Sequence, residues 1–318
     1  MRTITKTRTG NIISDEQLML EYLYVGDYGK ENNIKADFLG YTKRIDKVEH
    51  KDVDITDKLV VTVSSQKGCP MSCNFCDCPK FGFHGNASLP ELMSEISTGI
   101  ALSGIEHGKR LNIHFARMGE PTFNENVIEA ACKAGVAFGG MFDEYHPVVS
   151  TMCPKGNKRL EDFLHTWVNM GFYYGGVDGF GLQFSINTLN EEERNKAFNN
   201  KSLSLKEIGE IIDALPAPRR RKYTLNFAVT SESNLDPTLM EKYFDKTKCI
   251  VKITPIHETR EAVSNGYEIV KSFDVYEQFE QPLVEAGWDV IVFIPSEEED
   301  ADRITCGNSL IANYMFVF

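Results

Sequence analysis

The chain has no apolar run long enough to cross a bilayer, and it opens MRTITKTRTG with no apolar signal stretch. Neither a membrane span nor export is expected, and a cytoplasmic location is. There is no internal repeat and no low-complexity segment, which leaves an ordinary globular architecture for the 318 residues: one barrel-sized domain with an extension, or two domains. Positive charge is in short supply. With 34 Lys and Arg against 46 Asp and Glu, the formal net charge is −12. Phosphate neutralisation normally supplies much of the affinity for a large nucleic acid, so this balance counts against such a partner unless a local basic patch provides the grip. The one dense patch is Arg219-Arg220-Arg221-Lys222, after Pro216-Ala-Pro218. It reads first as a solvated loop before a strand, and second as a grip on phosphate.

What the chain does have is a knot of cysteines. Cys69, Cys73 and Cys76 are spaced C-x3-C-x2-C in one short loop. In a reducing compartment clustered cysteines read as metal-binding or catalytic, and disulfides are not expected. Zinc would need a fourth ligand, for which Cys78 or His84 is near enough in sequence. Three thiolates alone can hold three irons of a [4Fe–4S] cluster. The fourth iron is then open to a small molecule, unlike that of a four-cysteine electron-transfer cluster.

From about Val60 the sequence alternates short β-branched runs with longer helical patterns. Strands are predicted at Val60–Ser65, Leu111–Arg117, Val148–Thr151, Gly181–Ile186, Tyr223–Val229, Ile250–Pro255 and Asp289–Ile294. Helices are predicted near Pro90–Ile105, Asn126–Phe138, Lys158–Met170, Leu205–Ala214, Pro237–Lys246 and Asp274–Ala286. Ser88 and Glu91 form a capping box ahead of Leu92, Ile96 and Ile100, and Gly287 is a plausible stop for the last helix. Such alternation implies right-handed βαβ units around a parallel sheet, here an α/β partial (β/α)6 barrel over residues 58–318. Chemistry in such barrels sits at the carboxyl ends of the strands, where the cysteine loop falls. Residues 1–57 read instead as a small N-terminal β extension, with strands at Leu18–Val25 and Ile34–Lys43.

The cysteine loop, with Phe75 just before its last cysteine, resembles the cluster loop of the radical S-adenosylmethionine (SAM) superfamily. Val63-Ser-Ser-Gln-Lys-Gly-Cys69, Phe81-Gly-Phe, Asn86, Arg117-Met-Gly-Glu-Pro121 and Asn124 narrow the likeness. They resemble the adenine-C2 methyltransferases of ribosomal and transfer RNA and their C8-methylating relatives. Asp300-Ala-Asp-Arg-Ile-Thr-Cys-Gly-Asn308 is similar to that family's segment around a methyl-carrying cysteine. The likeness runs from about Leu59 to Ala312.

The resemblance implies a [4Fe–4S] cluster on Cys69, Cys73 and Cys76, with SAM chelating the open iron. It implies SAM contacts from Gly119, Glu120, Ser150, Ser185, Ile186, Asn187 and, where the family has an asparagine, His257. A Gly-Glu pair suits an ammonium group on physical grounds also, since glycine permits close approach and a carboxylate accepts its hydrogen bonds. The resemblance further implies that Cys306 is methylated by one SAM and that the methyl passes, through radical chemistry driven by a second, to adenine in RNA. A flavodoxin- or ferredoxin-like donor would supply electrons.

Three departures stand out. The family's second cysteine, seven residues before the first cluster cysteine, is Thr62 here, and a threonine cannot form the disulfide that helps release product. Cys78 and Cys153 are the substitutes to test, while Cys132 and Cys249 read as core. The helical N-terminal domain of the family is replaced by the β-rich extension. The third is His257. Two other readings therefore stay open: a radical SAM enzyme of altered reaction or substrate (a nucleotide, a small nucleic acid or a peptide), and a non-enzymatic, metal-stabilised binding module.

Overall fold

β-branched runs that alternate with amphipathic helices assemble into one twisted sheet, with the helices covering a single face. The computed structural model describes residues 1–26, 54–176, 179–270, 273–295 and 297–314. An antiparallel meander opens the chain: β1 (Arg2–Lys6), β2 (Gly10–Asp15) and β3 (Leu20–Val25). β3 pairs antiparallel with β4 (Leu59–Val63), so the extension continues the main sheet directly. The predicted strand at Ile34–Lys43 lies outside the described residues.

After β4, the short hairpin of β5 (Gln66–Gly68) and β6 (Phe83–Asn86) brackets the cysteine loop. The βα units follow: α1 (Leu89–Ser103), β7 (Gly108–Phe115), α2 (Asn126–Phe138), β8 (Phe142–Thr151), α3 (Leu160–Tyr174) and β9 (Gly181–Ser185). Next come α4 (Glu191–Ala197), α5 (Leu205–Ala214), β10 (Tyr223–Val229), α6 (Pro237–Glu241) and β11 (Cys249–Pro255). The chain then runs through α7 (Arg260–Ser264), α8 (Phe273–Glu285), β12 (Val290–Val292), α9 (Glu297–Ala301) and α10 (Leu310–Tyr314). The strand order is β1-β2-β3-β4-β7-β8-β9-β10-β11-β12, with every neighbour from β4 onward parallel. Among the described residues the sheet ends at β1 and β12 without closing.

All seven predicted parallel strands form, and the Ser88–Glu91 capping box is present at the start of α1. The helix predicted to reach Lys246 stops at Glu241. Strand periodicity separates the two faces. On β7, Leu111, Ile113 and Phe115 are fully buried in the core shared with the helices, while the intervening Asn112 and His114 are only half-buried on the other face. Trp167 anchors that core. It lies parallel to Phe163, meets Phe115 edge-on at 6.0 Å, and donates its indole N–H to the Gly181 carbonyl at 3.0 Å.

Three members of the basic patch pack against or pair with the fold. Arg219 lies over the Phe172 ring at 4.3 Å, and the Arg221 guanidinium sits against Gly181. Lys222 pairs with Asp289 at 2.7 Å and donates to the Lys246 carbonyl. Among the described residues no helix is long and apolar enough to cross a membrane.

Candidate active site

The cysteine loop begins where β5 ends. Gly68 has a φ of 75°, and a Cβ there would fall 1.8 Å from the Gly82 carbonyl oxygen, which accepts the Cys69 N–H at 3.0 Å. Only glycine fits that closure. The rest of the loop is tied down by the segment around α4 and by α7. Asn74 N–H donates to the Ala197 carbonyl at 3.0 Å, and Lys201 reaches the Pro70 carbonyl and the Ser72 hydroxyl. Thr259 donates its hydroxyl to the Phe75 carbonyl, while Tyr267 donates to the Asn74 side chain. The Phe75 ring meets Phe198 edge-on at 5.6 Å.

The three thiols stand within electrostatic reach of one another. Burial first, and then the neighbouring thiol of Cys76, push Cys69 up to about 12 and hold Cys73 well above the ordinary thiol value. Among the described residues no three His, Cys, Asp or Glu side chains close up as the shell of one ion. His84, a candidate fourth zinc ligand, has Nε2 at 2.9 Å from the Phe81 carbonyl. Cys78 is buried, with Sγ 3.4 Å from the Arg117 carbonyl. A soft donor set of three neighbouring thiols suits an iron–sulfur centre, whose positive charge would release their protons.

The second motif runs off the end of β7. Gly119 has a φ of 99°, and a Cβ there would lie 2.5 Å from Gln66 Cβ. Close packing fixes the next residue: Glu120 N–H donates to Gln66 Oε1 at 2.9 Å. The Glu120 carboxylate is buried. Its Oε1 accepts from the hydroxyls of Thr122 and Thr151, both at 2.7 Å, and its Oε2 accepts the Met152 N–H at 3.0 Å. Burial raises its pKa against those hydrogen bonds. Among the described residues no cation pairs with it. Oε2 therefore keeps room for a further donor, and an ammonium would fit.

Ser150 is half-buried beside this carboxylate's strand partner and accepts from Gln183 Nε2 at 3.2 Å. Ser185, Ile186 and Asn187 form the turn leaving β9. The amides of Ile186 and Asn187 both donate to the Asn226 carbonyl, at 2.8 and 3.1 Å, and Asn187 takes a φ of 64°, which asparagine tolerates better than most residues. His257 follows β11, its Nδ1 3.4 Å from Asp300.

Cys306 meets the cluster loop across 230 positions. The Gly307 carbonyl accepts the Asp77 N–H at 2.9 Å, and Cys76 Sγ lies 3.7 Å from the same oxygen. Cys306 is exposed, yet protein crowds it closely: burial and then Cys76 push its thiol up to about 11, against the downward pull of Lys252 and Arg117. Cys78 and Cys153, the candidate substitutes for the missing second cysteine, are both buried in apolar clusters, and burial holds the Cys153 thiol protonated. Neither is exposed as Cys306 is. Thr62 is half-buried on β4, paired with Leu23 and His114. Cys249 is core as expected. Cys132 is not wholly so: it lines a groove of about 400 Å³ on the outer helices with Met93, Val136 and Tyr174, away from the cluster loop.

Two groups carry the site without any motif to announce them. Arg194 of α4 is buried under the β9 turn. It donates to the carbonyls of Ser185 (2.8 Å) and Ile186 and to the Ser202 hydroxyl, and lies over the Phe198 ring at 4.7 Å. Glu21 of β3 is wholly buried against Arg117. Both are charges in the interior, and the signal that could have found them, a lone charged residue in an apolar stretch, exists only for Glu21 in Leu18-Met-Leu-Glu-Tyr-Leu.

His114 is pushed down to about 3 by burial and then by Lys252, Lys58, Arg221 and Arg110.

No family model matches the chain. It is 29% identical over 185 residues to a protein of Wolinella succinogenes named dual-specificity RNA methyltransferase RlmN, covering 57% of this chain and 47% of that one. A protein of the same name from Nautilia profundicola is 27% identical over 203 residues, 59% of this chain and 52% of the other. The chain thus spans about half the length of the curated relatives it matches. Among solved structures it is similar to a radical SAM methyltransferase from Sphaerobacter thermophilus, with a TM-score of 0.65 and 18% identity over 98% of this chain and 81% of that one. The chain shares the fold of that protein.

Proposed function

We propose that this protein is a radical SAM methyltransferase in which Cys306 carries the methyl group, and that its acceptor is adenine in an RNA. One observation carries the reading: the Gly307 carbonyl next to Cys306 takes a hydrogen bond from the cysteine loop at Asp77, so the exposed thiol stands beside the three that would hold a cluster. The names of the similar proteins support the same chemistry and an RNA substrate.

Cys69, Cys73 and Cys76 would hold a [4Fe–4S] cluster, which with SAM supplies the methyl group and the radical chemistry when both are bound. The chain's own residues do the rest. Glu120 receives the ammonium of SAM in a buried, low-dielectric pocket where that pairing is strong. The Ser185–Asn187 turn, with Ser150 and His257, would contact the remainder of the ligand. Cys306 would be the sulfur that takes the methyl of SAM, its proton leaving to the solvent it is exposed to; burial and Cys76 hold its thiol up, and Lys252 and Arg117 pull the other way, toward the thiolate. The target base must be unstacked to reach the end of the sheet. A flavodoxin- or ferredoxin-like protein supplies the electron.

A second reading, a radical SAM enzyme of altered reaction, draws on Thr62 and on the burial of Cys78 and Cys153, which leave no second exposed thiol for the family's release step. Peptide mass spectrometry of anaerobically purified protein separates the two. Cleavage after Arg303 releases Ile304–Phe318, in which Cys306 is the sole cysteine. A methyl on that peptide is the expected result. An unmodified peptide, after incubation with SAM and with cluster iron present, overturns the methyl-carrier reading and favours the second.

A further inference from the structure

Glu21 sits near the start of β3 with a side chain of 0% relative exposure. Arg117 meets one carboxylate oxygen through both Nε (2.8 Å) and Nη2 (2.6 Å). The other oxygen accepts the Ser14 hydroxyl at 2.9 Å. Two more donors come from the far end of the chain: the backbone N–H groups of Leu310 (3.2 Å) and Ile311 (2.8 Å), the first residues of α10. Arg117 in turn donates from Nη1 to the Arg303 carbonyl at 2.9 Å. Arg303 has a φ of 57°, a left-handed conformation that a non-glycine residue holds only when its surroundings impose it.

These contacts bracket Cys306. Upstream, Arg117 holds the Arg303 carbonyl; downstream, Glu21 holds the amides of Leu310 and Ile311. Between them the segment is braced internally, by Thr305 donating to Asp300 at 2.9 Å and Asn308 donating to Thr305 at 2.7 Å. Arg117 also lies immediately before Met118-Gly119-Glu120, so one buried pair touches both the strand end that presents Glu120 and the segment that presents Cys306.

We infer that Glu21 is a positioning residue: with Arg117 it fixes where the Cys306 segment stands against the cluster loop. The inference rests on the proposed role of Cys306 for its consequence in methyl transfer, but the clamp itself does not depend on it. A general stabilising pair would affect the whole fold alike. A clamp affects 303–312 first.

Hydrogen exchange by mass spectrometry on anaerobically purified, cluster-containing protein tests this directly. In the unaltered protein the Leu310 and Ile311 amides should exchange as slowly as those of β3 and β4, and fast exchange there overturns the clamp without any variant. In Glu21→Gln, which keeps shape but turns an acceptor into a donor facing those amides, protection over 303–312 should fall about tenfold or more while the cluster loop and 118–152 hold theirs. In Arg117→Lys, which keeps the charge but loses the fork, protection at 303–305 should fall first. In both variants the rate of Cys306 S-methylation should drop about tenfold, with SAM affinity and cluster absorbance within about twofold of the original. Unchanged protection at 303–312, or an equal loss everywhere, overturns the positioning role. Loss of protection with no methylation even in the unaltered protein upholds the clamp and sinks the methyl-carrier reading instead. Should neither variant fold, the exchange rates of the unaltered protein still decide.

Discussion

Thr151 donates its hydroxyl to Glu120 Oε1 at 2.7 Å, so the strand next door holds this buried carboxylate. The bond is made from the last residue of β8, and the Met152 N–H that follows completes the grip on Oε2. A carboxylate held this way has its orientation set before any ligand arrives.

Glu120→Gln should therefore bind SAM about ten- to a hundredfold more weakly, through loss of a charge-assisted hydrogen bond in a buried pocket. Cluster content should not change. Equilibrium dialysis with SAM, alongside iron and sulfide analysis, measures both. Equal affinity would show that the ammonium lies elsewhere.

Arg194→Lys keeps the charge but replaces a planar fork with a single point, and so cannot serve Ser185, Ile186 and Ser202 together. Stability should fall by about 2 kcal/mol, since buried carbonyls lose a charged donor. SAM affinity should fall with it because the Ser185–Asn187 turn loses its support. Denaturant melts and SAM binding are the readouts; a variant unchanged in both would remove Arg194 from the site's framework.

Gly119→Ala should be worse than an ordinary glycine-to-alanine change. Its φ of 99° disfavours a side chain, and the added carbon would meet Gln66 at 2.5 Å. A loss of more than about 1 kcal/mol in thermal or denaturant stability is expected. Weaker SAM binding should accompany it, because Gln66 positions the Glu120 backbone.

His114 makes stability depend on pH in a defined direction. Its folded value of about 3 lies below the ordinary 6.5. Between those values the unfolded chain binds a proton that the native imidazole does not. The stability it contributes is complete above 6.5 and is lost as pH falls through that window, at most about 1.4 kcal/mol per pH unit. Glu95 and Glu120, both raised by burial, act in the opposite sense there, so the comparison must be between variants. The drop in Tm from pH 7 to pH 5 should be smaller in His114→Gln than in the unaltered protein. Equal drops would show that burial, with Lys252, Lys58, Arg221 and Arg110, does not keep the imidazole neutral.

Much of the fold was legible because its signals are local. The seven parallel strands are short β-branched runs with buried faces, and the capping box of α1 is written in two residues. Short elements were not legible. α4, α7, α9 and α10 have five to seven residues each, too few for a period to emerge, and what holds them is contact with distant segments. The candidate site divides the same way. Cys69, Cys73, Cys76, Gly119 and Glu120 announce themselves by spacing, whereas Arg194, Glu21 and Thr151 act through partners that sequence order does not reveal. The Arg219–Lys222 patch shows the converse: a conspicuous run of charge that the fold spends on Phe172, Gly181 and Asp289.

The bond from Ile311 back to Glu21 spans 290 positions, which gives the site a place in time as well as in space. On the ribosome the cysteine loop emerges early and could take up iron while most of the sheet is still unmade. Cys306, and the backbone bonded to Glu21 of β3, are synthesised well after that loop. At about 5–20 residues per second the interval between the two is tens of seconds. A nascent chain therefore carries the cysteine loop without Cys306 beside it, and the full constellation appears only when synthesis has passed residue 311.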